Sequence, residues 1–266
     1  MATQLLIYEH AAPVNPQKHG NWSIKTGTDY SFAKNVNSVP LMAAEFPSAA
    51  AEYAIVFTGT DDAFMPSAIL GLRDQQNLQV AEDGTWRAKY IPAFIRRYPF
   101  VFSSTDDGAN FTLCIDEEFA GCNQDGLGER LFDSAGERTQ YLENVLGFLR
   151  EFQAQFMRTQ AFCRKLKELD LLEPMQAQIA MGSAQPISLS GFMAVNRDKL
   201  KAVPGDTLAE LAKTDGLELL YTHLQSMRNF SLMAEAAAVV AGAAAVTSPP
   251  AEAAPAAEAE NKPAAS

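Results

Sequence analysis

The sequence predicts an α+β fold: a strand-rich N-terminal half packed with a long amphipathic helix and C-terminal helices in a single domain. Two observations carry this. Up to residue 116, short runs rich in β-branched and aromatic residues alternate with Gly, Asp, Asn and Pro, which is the punctuation of strands and turns. From residue 139 apolar side chains recur at helical spacing instead. A third observation sets the boundary: after residue 235 the chain turns to Ala, Pro and Glu with almost no large apolar residue, and such a segment cannot bury enough surface to offset its ordering entropy. Residues 1–235 are therefore expected to form the domain and residues 236–266 a disordered tail, its first turns extending the preceding helix.

The elements follow in order. Residues 4–8, 38–42, 53–57, 68–72, 78–80, 100–104 and 110–116 read as strands. Asp83-Gly84 marks a tight turn before Trp86, and Asp107-Gly108 marks a hairpin. Residues 47–52 and 91–98 read as short helices. Leu142, Val145, Leu146, Leu149, Phe152, Phe156, Cys163, Leu166 and Leu169 form one stripe, opposite Glu143, Arg150, Glu151, Arg158 and Lys165. This gives a helix of about eight turns, with Thr139 as N-cap and Pro174 just past its end. A core helix is expected, with a partner-binding helix as the alternative. Residues 179–181 and 187–195 read as two more strands. A helix with a Thr207–Glu210 capping box follows, broken by Gly216. The last helix is expected over 217–235, burying Leu217, Leu220, Leu224 and Met227, with Ser231 at the margin.

Composition narrows the function classes. The chain has 266 residues, 47% of them hydrophobic, and a formal net charge of −11. A field of that sign repels phosphate backbones and anionic lipid, so no nucleic-acid partner is expected. No apolar run is long enough to span a bilayer, and the N-terminus does not read as a signal peptide. A cytoplasmic protein is expected, with export to the cell surface by a route lacking an N-terminal signal as the alternative. Three cysteines without Cys-x-x-Cys spacing do not make a disulfide framework. Cys114 and Cys163 are expected to be buried thiols, and Cys122 lies in a polar loop where exposure is possible.

Catalytic and cofactor patterns do not assemble. His10, His19 and His223 show no His-x-x-x-His or His-x-Asp spacing, so no metal site is predicted; His223 reads as a surface or capping histidine. Asn123, Asp125 and Gly126 resemble the middle of an EF-hand loop, but Gly121 and Phe132 stand where its first and last ligands belong, so a solvated turn is expected. Gly126-Leu127-Gly128 lacks the rest of a dinucleotide fingerprint. The Ser31/Lys34 and Lys25-Thr26-Gly27 matches to penicillin-binding elements stand in the wrong order and too close together. The adjacent carboxylates Asp61-Asp62 and Asp106-Asp107 point to opposite faces if extended, and so are not preformed dyads. Asp116 differs, since it ends an apolar run and is placed to close the edge of a pocket. No catalytic residue, metal ligand or cofactor is assigned.

One segment is dense in recognition chemistry. Residues 83–102 interleave Trp86, Tyr90, Phe94, Tyr98, Phe100 and Phe102 with Arg87, Lys89, Arg96 and Arg97, between Pro92 and Pro99. Arginine over an aromatic face offers cation–π stacking and bidentate binding of carboxylate or phosphate. Trp86, Tyr90, Arg96, Arg97, Tyr98 and Asp116 are the candidate ligand- or partner-binding residues. The alternative is that the rings fill the core while the arginines neutralise the domain's own carboxylates.

The same segment resembles the signature of the SapC family of bacterial proteins, through Trp86, Tyr90-Ile91-Pro92-Ala93 and Arg96-Arg97-Tyr98-Pro99-Phe100. Val39-Pro40, Glu45-Phe46, Ile55-Val56-Phe57, Gly71-Leu72, Asn77-Leu78, Asp83-Gly84, Ile115-Asp116 and Leu131-Phe132 extend the resemblance over most of residues 1–235. The resemblance implies an association with bacterial surface layers and with loci encoding outer-membrane receptors, cupin-like and flavin halogenase-like proteins. It brings no reaction and no catalytic residues, and the peptide-permease label some members carry does not fit a chain without a membrane span. The function expected is therefore a non-enzymatic accessory or binding protein with a protein partner. A small-molecule-binding enzyme or enzyme partner for an acidic or aromatic ligand is the alternative. Oligomeric state stays open.

Overall fold

The computed structural model describes residues 6–60, 63–104, 110–181, 184–235 and 237. The Asp61-Asp62 and Asp106-Asp107 pairs, the Asp107-Gly108 turn and nearly all of the expected tail lie outside these residues. The described chain is α+β, as expected. Its strands are β1 (Ala11–Pro13), β2 (Ser23–Ile24), β3 (Ser38–Pro40), β4 (Ile55–Thr60), β5 (Ala63–Ile69), β6 (Phe100–Ser104), β7 (Phe111–Asp116), β8 (Cys122–Asn123), β9 (Glu129–Arg130), β10 (Leu172–Met181) and β11 (Ala184–Val195). The helices are α1 (Pro16–His19), α2 (Phe46–Ala49), α3 (Ala93–Arg96), α4 (Gln140–Glu168), α5 (Arg197–Ala202), α6 (Gly205–Lys213) and α7 (Gly216–Ser226), followed by α8 over 229–235.

Among the described residues all strand pairing is antiparallel. The main sheet has the order β10-β11-β4-β5-β3, and two three-stranded sheets have the orders β1-β7-β6 and β8-β2-β9. Strand alternation distributes the core: Ile55 faces the cluster with Phe46, Tyr53, Phe94 and Phe152, whereas Val56 faces Phe192, Phe230 and Met233 on the opposite side.

Helix α4 runs 29 residues, capped by the Thr139 side chain accepting from the Leu142 N–H. Its stripe forms part of three apolar clusters. Leu142 and Leu149 join the small-sheet cluster with Ile24 and Ile115. Phe152 joins the cluster under the main sheet. Cys163 and Leu166 join Phe57, Leu171 and Leu220. It is a core helix. Its stripe includes one polar residue that periodicity alone does not flag: Thr159 is buried, and its Oγ1 accepts from the Ala43 N–H at 2.9 Å and donates to the Gln155 carbonyl.

Several sequence expectations need correction. Of the strand expected at 4–8, residues 4 and 5 lie outside the described residues and residues 6–8 form no strand; the Glu9 and His10 N–H groups that follow go to the Asp116 carboxylate rather than to a ladder. The strand expected at 68–72 is β5, which starts at Ala63 and ends at Ile69. Residues 78–80 contribute only the bridge between Val80 and Trp86. The strands expected at 179–181 and 187–195 are the ends of a long hairpin, and Pro174 lies within β10 instead of marking a helix stop. Helix α5 was not expected; Asn196 caps it by accepting from the Asp198 and Lys199 N–H groups. Helix α6 starts at Gly205, so Thr207 is inside it and forms no capping box. The last helix is two, broken at Met227-Arg228, and Ser231 is exposed. Cys122 is half-buried, and burial pushes its thiol up to about 12.

The surface assignment of His223 is also wrong. Its side chain is fully buried between β4 and β11. The Val195 N–H donates to Nε2 at 3.0 Å, so the ring proton sits on Nδ1 and is donated to the Ile55 carbonyl at 2.8 Å. The ring thus joins two strands whose ladder contains one paired register position, Met193 with Phe57. Burial pushes its pKa down to about 4. Between the ordinary imidazole value of about 6.5 and that point, the unfolded chain takes up a proton that the folded chain refuses. Stability contributed by neutral His223 is therefore complete above pH 6.5 and is lost as pH falls towards 4, by about 3 kcal/mol in total. Denaturant unfolding of wild type and His223→Gln across this range is expected to show that increment only in the wild type, over whatever acid dependence both share.

Candidate functional site

The segment 83–102 is positioned by carboxylates, and these bind backbone rather than arginine. Glu45 ends a short 3-10 turn over Ala43–Glu45 and is buried. Its Oε2 accepts from the Met42 N–H at 2.8 Å, and its Oε1 accepts from the Ala93 N–H and the Tyr90 hydroxyl, both at 2.7 Å. Glu52 accepts from the Lys89 and Tyr90 N–H groups, each at 2.8 Å. Pro92 then begins the α3 turn, and the Tyr98–Pro99 peptide is cis. The backbone is thereby held at both ends of the Tyr90-Ile91-Pro92-Ala93 run.

The six candidate residues separate into three environments. Trp86 is half-buried: its Nε1–H donates to the Tyr53 hydroxyl at 2.9 Å, and its ring meets Tyr30 edge-on at 5.6 Å. The Tyr53 hydroxyl in turn donates to the Tyr90 carbonyl. Gly84 turns the chain into Trp86 at φ 83°, and a Cβ there would meet the Asp29 carboxylate at 2.3 Å. Arg96 is exposed, with Nε donating to the Ile91 carbonyl at 2.9 Å and its guanidinium over the Phe148 and Tyr90 rings at 5.4 and 5.9 Å.

Arg97 is buried, its guanidinium 4.2 Å from the Phe94 centroid and 4.8 Å from that of Phe152, with the Tyr8 hydroxyl in hydrogen-bonding reach. Burial works against its charge, while Tyr8 favours it. Of the six residues it alone lines a cavity of about 340 Å³ between β4, β5 and α4.

Tyr98 and Asp116 belong together. The Tyr98 hydroxyl donates to Asp116 at 3.2 Å, and the Tyr98 ring stacks on Phe32 at 4.1 Å and meets Tyr8 and Phe119 edge-on. Asp116 is fully buried, and its carboxylate also accepts from the Glu9, His10 and Glu118 N–H groups. These contacts anchor the N-terminal segment against β7.

The residues that sequence reasoning missed are acidic partners and neighbouring rings. Glu45 and Glu52 stand roughly forty positions before their partners, so no spacing rule connects them. Tyr30 and Phe32 complete a line of half-buried rings from Trp86 through Tyr30, Phe32 and Tyr98 to Phe119. Desolvation, first among the causes, raises the phenol pKa values of Tyr53, Tyr90 and Tyr98, so these hydroxyls remain protonated donors. Histidine–carboxylate contacts also arise through folding. Glu117 gathers Lys18, buried His19 at 3.1 Å and exposed His10 at 3.7 Å, and the hydrogen bond from Lys18 holds its carboxyl below the ordinary range. The Asn15 N–H caps His19 Nδ1, so this imidazole has no open nitrogen to act as a base. Among the described residues, no three of His, Cys, Asp and Glu are gathered so as to hold a metal ion.

A family model described as SapC matches residues 14–233, the span that includes α1 through most of α8 and every residue of this site except Tyr8, Glu9 and His10. The chain belongs to the SapC family. No curated protein and no solved structure matches it. In this SapC chain the Arg/aromatic segment packs at the boundary of the core, and no described helix is long and apolar enough to cross a membrane.

Glu45 and Arg96 are expected to separate in a stability assay. Glu45→Ala strands three donors and should cost roughly 2–5 kcal/mol, whereas Arg96→Ala, exposed on the same segment, should cost under about 1 kcal/mol. Urea unfolding monitored by Trp fluorescence compares them directly.

Proposed function

We propose that this chain is a non-enzymatic accessory protein that works by holding an acidic protein partner on its aromatic–basic face. The observation that supports this is the composition of one stretch of surface. Trp86, Tyr30, Phe32 and Tyr98 are half-buried and ring-to-ring. Arg87, Lys89 and Arg96 are exposed within the same segment, on a chain whose formal net charge is −11. Aromatic residues and arginine are the side chains enriched in protein interfaces and in their energetic hot spots. The glutamates that could have neutralised these cations are committed to backbone N–H groups instead.

Rigidity favours the same reading. The hydrogen bonds through Tyr53, Glu45 and Glu52 fix Trp86 and Tyr90 before any partner arrives, which lowers the ordering cost of association. Surface-layer or envelope-associated assemblies are the setting the family resemblance implies for such a contact.

The burial of Arg97 decides how the face is tested, because removing that side chain would disturb the Phe94/Phe152 stack. Arg87→Glu combined with Arg96→Glu leaves the core intact and reverses the charge of the face. In cross-linked co-purifications from the native host, the wild type is expected to yield partners cross-linked near residues 83–98, and the double variant to lose them with an unchanged thermal midpoint. An identical set of cross-linked partners from both proteins would remove the basis for the assignment.

A further inference from the structure

The main sheet ends on two unlike edges. At one, β3 is three residues long and finishes on Pro40, which has no N–H to offer. At the other, β10 runs ten residues, and among the described residues no strand pairs with its outer side. Edge strands avoid joining another chain by being short, by carrying charge or proline, or by bulging. Beyond Pro174, β10 uses none of these devices. Residues 174–196 include no Asp, Glu, Lys, Arg or His, although 20% of the whole chain is charged. The irregularities of the hairpin belong to its inner strand. From Met175 to Ala177 β10 advances two positions while β11 advances three, from Phe192 to Leu189, and the same excess recurs between Ile187 and Ala184. Gly191, at φ 85°, lies in the first of these bulges. The outer side of β10 therefore stays regular.

The sequence of this edge says what fits it. Met175-Gln176-Ala177-Gln178-Ile179 reads as apolar, Gln, Ala, Gln, apolar in either direction. In an antiparallel pair centred on Ala177, a second copy sets Ala opposite Ala, Gln176 opposite Gln178 and Met175 opposite residue 179, with no like charges facing each other. Gln176 and Gln178 are exposed, while Ala177 between them is buried in the cluster of Phe192 and Phe230. The Gln pairs thus form on the solvent face. Charge selects the same place. Two chains of net charge −11 repel each other, and least where neither carries a charged residue.

We infer that β10 is a homodimer interface, where two copies pair edge to edge, antiparallel about Ala177, and make one continuous sheet of their two main sheets. Met175, 37% exposed in the single chain, is covered in the pair. A two-fold contact of this kind consumes the same edge in both copies and so closes on itself; the short β3 edges left at the ends do not extend it. The contact follows one strand edge, about 24 Å over residues 175–181, and is smaller than a standard interface of roughly 800 Å² per partner. The dimer is therefore reversible, with a dissociation constant of about 1–100 μM. No residue of the segment 83–102 takes part in it.

Sedimentation velocity of the full chain from about 1 to 200 μM is expected to show a monomer–dimer equilibrium. Gln176→Lys combined with Gln178→Lys should weaken the dimer about tenfold, because lysines then stand opposite lysines. The two added charges lower the net value from −11 to −9, so association governed by net charge would strengthen instead. Mixing this variant with Gln176→Glu/Gln178→Glu should restore a heterodimer, since each lysine then meets a glutamate across the two-fold axis. Hydrogen exchange of the wild type should slow over β10 as concentration rises, which locates the contact without any variant. A monomer throughout the range, a dimer unaffected by the paired lysines, no rescue on mixing, or protection confined to another element would each overturn the inference. So would β10 exchange that is slow at every concentration, which would mark an edge covered within one chain.

Discussion

Helix α4 is a wall shared by three apolar clusters. Its early turns close the small sheets through Leu142 and Leu149, its middle covers the main sheet through Phe152, and its last turns meet α6 and α7 through Cys163 and Leu166. At 29 residues it is about 43 Å long, and that length fixes the spacing of the three clusters. Thr159 ties the same helix to the Ala43 turn, and that turn presents Glu45 to the segment that carries Tyr90 and Arg97. The placement of the candidate site is thus inherited from the packing of one helix.

The charge pattern follows a division of labour that a net value conceals. Glu45, Glu52 and Asp116 are used as acceptors for backbone N–H groups and tyrosine hydroxyls. Charge-assisted bonds of this kind are roughly twice as strong as neutral ones, and they need no cation nearby. Arg96 and Arg97 meet rings instead. One arginine faces outward beside exposed cations and the next faces a cavity, because successive residues at the end of the α3 turn point in different directions.

Much of this was legible in the sequence where the physics is local. The stripe of α4, its Thr139 cap, the Gly84 turn and the solvated turn at Asn123 follow from periodicity and turn chemistry. Asn123 indeed spends its side chain on the Asp125 and Leu127 N–H groups and on nearby carbonyls. What was not legible depends on distance. His223 reads as a surface residue because nothing in its neighbourhood announces that Ile55 and Val195 lie on either side of it. Residues 172–178 carry no strand expectation because Pro174 reads as the stop just past a helix, yet β11 offers them a ladder. The density of residues 83–102 pointed to a site, but only folding shows that Arg96 and Arg97 part company and that Asp116 serves the N-terminal segment.

The Asp116 bracket carries a kinetic meaning. Its bonds to Glu9 and His10 close loops of 107 and 106 residues. The entropy of loop closure grows only logarithmically, by about 0.6 kcal/mol for each doubling of length, so tethering the N-terminal segment at such range costs little more than tethering it at half the range. The penalty falls on time, since contacts distant in sequence slow folding far more than they weaken the folded state. The β6–β7 hairpin, whose strands are neighbours in sequence, has no such delay. Asp116 lies at the end of that hairpin, so the hairpin is the surface on which the first residues of the domain come to rest.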